Sequence, residues 1–163
     1  RIMAGLLAGD SRLILQHWRD AVPNDRLAHL IRDAGRSLGQ GLTPLLAAHD
    51  IPFGHWSFLR VLWDRDGLTQ KELSDAAGVT EPTTFAAVKA LIEKGYVTRR
   101  HNPGNKRKFY VYLTPEGAAL RDVLVPLAEE VNRAAVQGIP PENIGIMRET
   151  LLAIIENLAD DAS

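Results

Sequence analysis

The chain has 163 residues, 45% of them apolar, which suits one domain or a small module set in a helical frame. Its 19 Lys/Arg against 20 Asp/Glu leave a net charge of −1, and the absence of cysteine excludes disulfides, thiolate nucleophiles, cysteine-ligated zinc and thiol redox sensing. No apolar run approaches the roughly 18–20 residues that span a membrane, and the opening RIMAGLLAGDSRL is too soon interrupted for a secretory segment, so a cytoplasmic location is expected.

In the N-terminal third, Leu27, Leu30, Ile31, Ala34, Leu38, Leu42, Leu45 and Leu46 recur at spacings of mostly three and four, predicting a helix that Pro44 should kink or disturb. Pro52 breaks it by disfavouring helical geometry at Ile51, and a second helix is predicted from about Gly54 to Arg65, burying Trp56, Leu59, Leu62 and Trp63. The stretch DGLTQKELSDAAGVTEPTTFAAVKALIEKGYV then reads as two short helices around one turn. Thr69 and Glu72 form a capping box and Gly78 stops the first helix; Thr80 caps the second, Pro82 fits its first turn and Gly95 ends it. That is a helix-turn-helix.

Beyond Gly95 the period becomes two. Tyr96 to Arg99 lead into the turn NPGN, and Phe109, Val111 and Leu113 alternate with Lys108, Tyr110 and Tyr112, which predicts a β-hairpin. Thr114 and Pro115 open a further helix through Leu120, Leu124, Leu127 and Val131. A helix-turn-helix followed by a hairpin is a winged helix, so the expected fold is mainly α with a small β-hairpin wing. The winged lobe would span 54–114 of a single domain covering 1–163, with helical regions at 10–50 and 115–160.

The last helix carries Ile144, Met147, Leu151, Ile154, Ile155 and Leu158 at helical spacing. Such a stripe can dock on its own chain; the preferred reading packs it, with N-terminal residues such as Leu27 and Leu30, against a second copy, because the face is otherwise left exposed.

Charge is distributed unevenly. Lys89, Lys94, Arg99, Arg100, Lys106, Arg107 and Lys108 face one acid, Glu93, so residues 89–108 carry +6 and the remainder of the chain −7. A basic patch on an acidic body is the footprint of a polyanion site. On the second helix of the pair, Thr80, Pro82, Thr83, Thr84, Phe85 and Lys89 are candidates for the groove: Thr83 for a base edge or phosphate, Phe85 for a thymine methyl, Lys89 for a phosphate. Thr84 reads equally well as facing the core with Ala87, Val88 and Leu91, and for Phe85 core and groove readings stand side by side. Arg107 at the hairpin tip suits a minor groove, flanked by Lys106 and Lys108, while Arg99 or Arg100 is a candidate to pair with Glu93 or Glu116.

These motifs, and LTQKEL, the Pro-Thr pair, LIEKGYV, the wing and LTPEG in their order and spacing, resemble the MarR (multiple antibiotic resistance regulator) transcription factors over about residues 26–159. The resemblance implies a homodimer joined through its first and last helices, two winged lobes reading a near-palindromic duplex DNA site, and modulation by small anionic, often aromatic ligands. It places an effector pocket near Arg36, His55 and Trp56, although Trp56 alone reads more simply as core. Two departures stand out: Asn105-Lys106-Arg107 replaces the usual Asp-x-Arg of the wing, and Ala86 stands where the recognition helix often has Arg. The stretch from Asp10 to Val22 extends before the usual first helix and is a candidate addition to the dimer interface.

Catalysis finds no support: His17, His29, His49, His55 and His101 show no metal-binding spacing, and neither a nucleophile elbow nor a phosphate loop is present. No cofactor or metal is expected. The expected function is a repressor released by a ligand. Two alternatives remain open: a metal-responsive regulator using His17, His49 or His55 with carboxylates, and a winged module that binds no DNA.

Overall fold

The structure, a computed structural model, describes residues 26–160. In chain order the described elements are α1 (Leu27–Ala47), α2 (Phe53–Asp64), β1 (Leu68–Thr69), α3 (Gln70–Ala77), α4 (Glu81–Glu93), β2 (Val97–Asn102), β3 (Asn105–Leu113), α5 (Pro115–Ala135) and α6 (Pro141–Asp160). The predicted stretch from Asp10 to Val22 and His17 lie outside the described residues.

Local chemistry accounts for most element boundaries. Helix α1 continues through Pro44, whose missing N–H falls in the last turn, and the chain then turns at Asp50, a residue that tolerates its left-handed φ of 58°. Pro52, extended at φ −61° and ψ 144°, precedes α2. Thr69 Oγ1 accepts from Glu72 N–H at 3.1 Å while Glu72 Oε1 accepts from Thr69 N–H at 3.4 Å, the reciprocal pair of a capping box. Gly78 ends α3 at φ 67°, where a side chain would be strained. Thr80 caps α4 and Thr114 caps α5, each accepting from the N–H three residues on.

The core gathers Leu42, Leu46, Ile51, Phe58, Leu59, Leu62, Leu68, Leu73, Ala87, Val88, Leu91, Val97, Val111 and Leu124 into one buried cluster. On α2, Phe58 joins Leu59 and Leu62 inside, whereas Trp56 and Trp63 are only half-buried, packing edge to face with ring centroids 5.7 Å apart. The sheet corrects the sequence reading. It is not a bare hairpin but three antiparallel strands in the order β1-β3-β2, with Leu68 opposite Val111 and Thr69 opposite Tyr110. Strand β1 therefore clips the start of the helix-turn-helix to the hairpin.

Helix α5 is held against this lobe at one close point. Gly117 lies against the Tyr96 backbone, so that a Cβ there would come 2.0 Å from the Tyr96 carbonyl oxygen, and its own carbonyl accepts from Trp63 Nε1 at 2.9 Å. Gly117→Ala must push α5 off the sheet, and it should lower unfolding free energy by about 1–3 kcal/mol or more, as overpacking does. Urea denaturation monitored by circular dichroism checks this; an unchanged midpoint would show that the helix can shift freely.

Among the described residues, the α1 and α6 surfaces remain uncovered. Leu27, Leu30, Ile31 and Leu38 of α1 are exposed, as are Ile146, Met147, Leu152, Ile155 and Leu158 of α6, with Ile144 and Leu151 half-exposed. Helix α6 makes no extensive packing with any other described element.

Candidate nucleic-acid interface

Helix α4 presents Thr80, Pro82, Thr83, Phe85, Ala86 and Lys89 to solvent on one side and buries Thr84, Ala87, Val88 and Leu91 on the other. Thr84 is thereby corrected. It is fully buried, its hydroxyl accepts from Ser74 Oγ at 2.7 Å and bonds the Thr80 carbonyl at 3.1 Å, so it ties α3 to α4 and faces no groove. Phe85, at 47% exposure, is not a core residue. Thr83 Oγ1 lies 2.9 Å from Thr80 Oγ1, and the two hydroxyls form a small polar cluster at the exposed N-terminus of α4.

The hairpin projects beside this helix. Residues 101–109 are all exposed, including Lys106, Arg107 and Lys108. At its tip Asn102 pairs with Asn105 across Pro103-Gly104, and Asn105 Oδ1 accepts from Arg107 N–H at 3.0 Å. The amide thus supplies the acceptor oxygen that fixes the turn before Arg107. Arg99 and Arg100 do not pair with Glu93 or Glu116. The Arg99 guanidinium stacks over Phe85 at 4.8 Å and Phe109 at 5.8 Å, and Arg100 stacks over Tyr112 at 4.6 Å. One Arg99 nitrogen, Nη2, is buried with no hydrogen-bond partner.

Together these elements enclose a cleft of about 430 Å³ lined by Thr69, Gln70, Lys71, Glu81, Phe85, Arg99, Arg107, Lys108 and Phe109. Four cations and one acid line it, between the start of α3, the start of α4 and the wing. Gln70, Lys71 and Phe109 carry no signal of their own in the sequence, since only the folded sheet brings them to this cleft.

The three residues expected around an effector do not meet. Trp56 borders a cleft of about 240 Å³ with Gly35, Leu38, Gly39, Leu42, Phe53, Arg60, Ala128, Val131 and Asn132. Its cation is Arg60, 5.7 Å from the Trp56 ring, whereas Arg36 is exposed and turned back to Asp33 at 3.2 Å. His55 lies elsewhere, beside Pro82, Thr83, Ala86 and Ala87 of α4. For the metal alternative, no group of three His, Asp or Glu side chains among the described residues converges on a metal position.

His55 is held neutral by its surroundings. Its Nδ1 is buried without a partner, and burial first, then the nearby Lys94 ammonium, lowers its pKa below 6.5. Lys94 itself donates to the Asp50 carbonyl and lies 3.6 Å from the Asp50 carboxylate. The unfolded chain thus takes up a proton at a higher pH than the folded one. The stabilisation is complete above the unfolded value of 6.5 and is lost as pH falls through the lower folded value. His55→Gln should therefore flatten the fall in stability as pH drops below 6.5, measured as the urea midpoint against pH. An equally steep fall in the variant would assign the pH dependence to other groups.

Residues 53–109 match the MarR family. An uncharacterised helix-turn-helix transcriptional regulator of Staphylococcus aureus is 27% identical over 124 residues, covering 72% of this chain and 85% of that one. A MarR family regulator of Listeria monocytogenes, solved with a 26mer DNA, superposes with a TM-score of 0.75 at 23% identity, covering 83% of this chain and 90% of that chain. Bordetella bronchiseptica BpsR, whose DNA binding is regulated by 6-hydroxynicotinic acid, superposes with a TM-score of 0.70 at 21% identity, covering 83% of this chain and 99% of that chain. Among the described residues no helix is long and apolar enough to cross a membrane. The winged lobe thus matches the MarR family, and the chain resembles transcriptional regulators of that family in sequence and in fold.

Proposed function

We propose that the protein is a homodimeric repressor that binds a near-palindromic operator and releases it when a small aromatic anion binds. The observation that carries the DNA-binding geometry is the cleft shared by α3, α4 and the wing, where Lys71, Phe85 and Arg99 come together with Arg107 and Lys108. In this reading α4 enters the major groove, Thr80, Pro82 and Thr83 approach base edges and phosphates, and Arg107 enters the adjacent minor groove. Arg99 and Lys89 neutralise phosphates.

Dimerisation is supported by the apolar faces of α1 and α6, including Leu27, Leu30, Met147, Ile155 and Leu158, which no other described residues cover and which a second copy would remove from water. The lobe at 54–114 then reads DNA and the helices on either side of it join two copies. Two lobes related by a two-fold axis match two half-sites of inverted sequence.

Effector binding is supported by the Trp56 cleft, which combines an aromatic wall with the Arg60 guanidinium between α1, α2 and α5. That chemistry suits a single aromatic ring bearing a carboxylate, and BpsR responds to a compound of this kind. Because the cleft joins α1 and α5 to α2, a ligand there acts through its different affinity for two dimer shapes. Such a repressor works where the DNA is, in the cytoplasm.

The direct test is binding of the protein to the DNA upstream of its own gene, with aromatic carboxylates titrated into the complex. The reading expects a saturable complex that at least one such compound dissociates. A complex indifferent to all of them removes the effector part of the proposal, and no complex with that DNA removes autoregulation.

A further inference from the structure

The outer half of the hairpin has little to hold it. Val97 and Val111 are the last fully buried residues of β2 and β3, and everything from His101 to Phe109 is exposed. On the face turned toward α4, Val97 is opposite Leu113, Arg99 opposite Val111 and His101 opposite Phe109. Beyond the buried valines, that face continues with a cation and two rings. A two-stranded ribbon without a core swings easily relative to the helix beside it. A DNA reader needs the opposite, because the helix and the wing must meet two different grooves at once.

One contact spans the gap. Phe85 of α4, Arg99 of β2, Phe109 of β3 and His101 of β2 form a continuous row: Arg99 is 4.8 Å from the Phe85 ring and 5.8 Å from Phe109, and the His101 and Phe109 ring centroids are 4.1 Å apart. The guanidinium lies near two rings, which restrains where it sits between α4 and the wing. One of its nitrogens, Nη2, is buried and unpartnered, and the side chain borders the cleft that Lys71, Arg107 and Lys108 also line. The N–H groups other than the buried Nη2 are the ones an acceptor entering that cleft can reach, and the guanidinium charge suits an anionic acceptor.

We propose that Phe85, Arg99 and Phe109 form a positioning stack that sets the wing against the recognition helix and aims Arg99 at a DNA phosphate between them. This rests on the DNA-binding reading above and extends it: Phe85 serves as one wall of the arginine clamp and not as a reader of a thymine methyl, and Phe109 becomes a positioning residue although it touches no base.

The test uses the full-length protein and a duplex selected from a random-sequence pool, with affinity measured by fluorescence anisotropy at several salt concentrations. Phe109→Leu removes the ring at an exposed position and should weaken binding about 5- to 10-fold with an unchanged melting temperature, and Phe109→Tyr should restore it. Arg99→Lys keeps the charge but not the flat cation, and should weaken binding about as much as Phe109→Leu. The discriminating measurement combines Phe109→Leu with Arg107→Ala. If the stack positions the wing, Arg107 is already misplaced in Phe109→Leu, and the two effects combine to less than their product. Wild-type affinity in Phe109→Leu, or effects that multiply in full, overturns the stack while leaving DNA binding intact. Failure of the wild-type protein to select any duplex would instead overturn the DNA-binding reading, and the stack with it.

Discussion

In the proposed dimer, replacing Leu151 and Ile155 together by Glu should give a folded monomer and remove operator binding. Neither side chain belongs to the buried cluster of the lobe, Ile155 is 64% exposed, and α6 has no extensive packing with any other described element. The lobe therefore has no reason to unfold. Across a two-fold interface, however, the double variant brings four carboxylates into an apolar contact. Each uncompensated charge costs several kcal/mol on the scale of buried ionised groups, more than an interface of ordinary size recovers. A single lobe then binds one half-site alone, without the gain in effective concentration that its linked partner provides, and affinity falls by about 100-fold or more. Sedimentation velocity gives the mass and circular dichroism the fold. A variant that remains a folded dimer would place the interface on another surface.

The second large effect is expected at the wing. Arg107→Ala removes one exposed cation per chain and, in the proposed dimer, two per operator complex. The slope of log affinity against log salt should then become shallower by up to about 2, at ~0.9 for each phosphate that is no longer neutralised. Discrimination between A/T-rich and G/C-rich flanks should fall as well, because a narrow minor groove attracts arginine through its potential. Thr83→Ala provides the contrast: a cost of about 1–3 kcal/mol at particular base positions and little change in slope. Lys106→Ala and Lys108→Ala should resemble Arg107→Ala with smaller effects, since a flexible ammonium positions less well than a guanidinium. Equal salt slopes for Arg107→Ala and the wild type would make the wing a solvated loop.

The features legible in the sequence are those whose chemistry is local. The Thr69 and Glu72 capping box, the left-handed Gly78, the Thr80 cap and the Thr114-Pro115 helix start all act within four residues, and each stands where the spacing puts it. Strand β1 escaped because two residues carry no alternation; it is defined by its partner β3, more than forty residues away. The double role of Thr84 was settled by Ser74, which reaches it only once α3 and α4 have packed. The error at Arg36 has a different origin. Arg60 follows Trp56 by four residues on one helix, so their shared face was open to reading from spacing alone, while Arg36 sits three residues after Asp33 and pairs with it. The Phe85, Arg99 and Phe109 stack was not legible. An arginine in an alternating strand reads as a surface charge until the fold places an aromatic ring on either side of it.

Sequence-specific DNA binding is tested most directly by one measurement: anisotropy of the wild-type protein on a selected operator and on a scrambled duplex of equal length, titrated with salt. The operator should be bound at least about 1,000-fold more tightly, and both affinities should fall linearly in log salt with a slope reflecting several neutralised phosphates. Equal affinity for the two duplexes, or binding that salt leaves unchanged, would contradict a winged lobe that reads DNA.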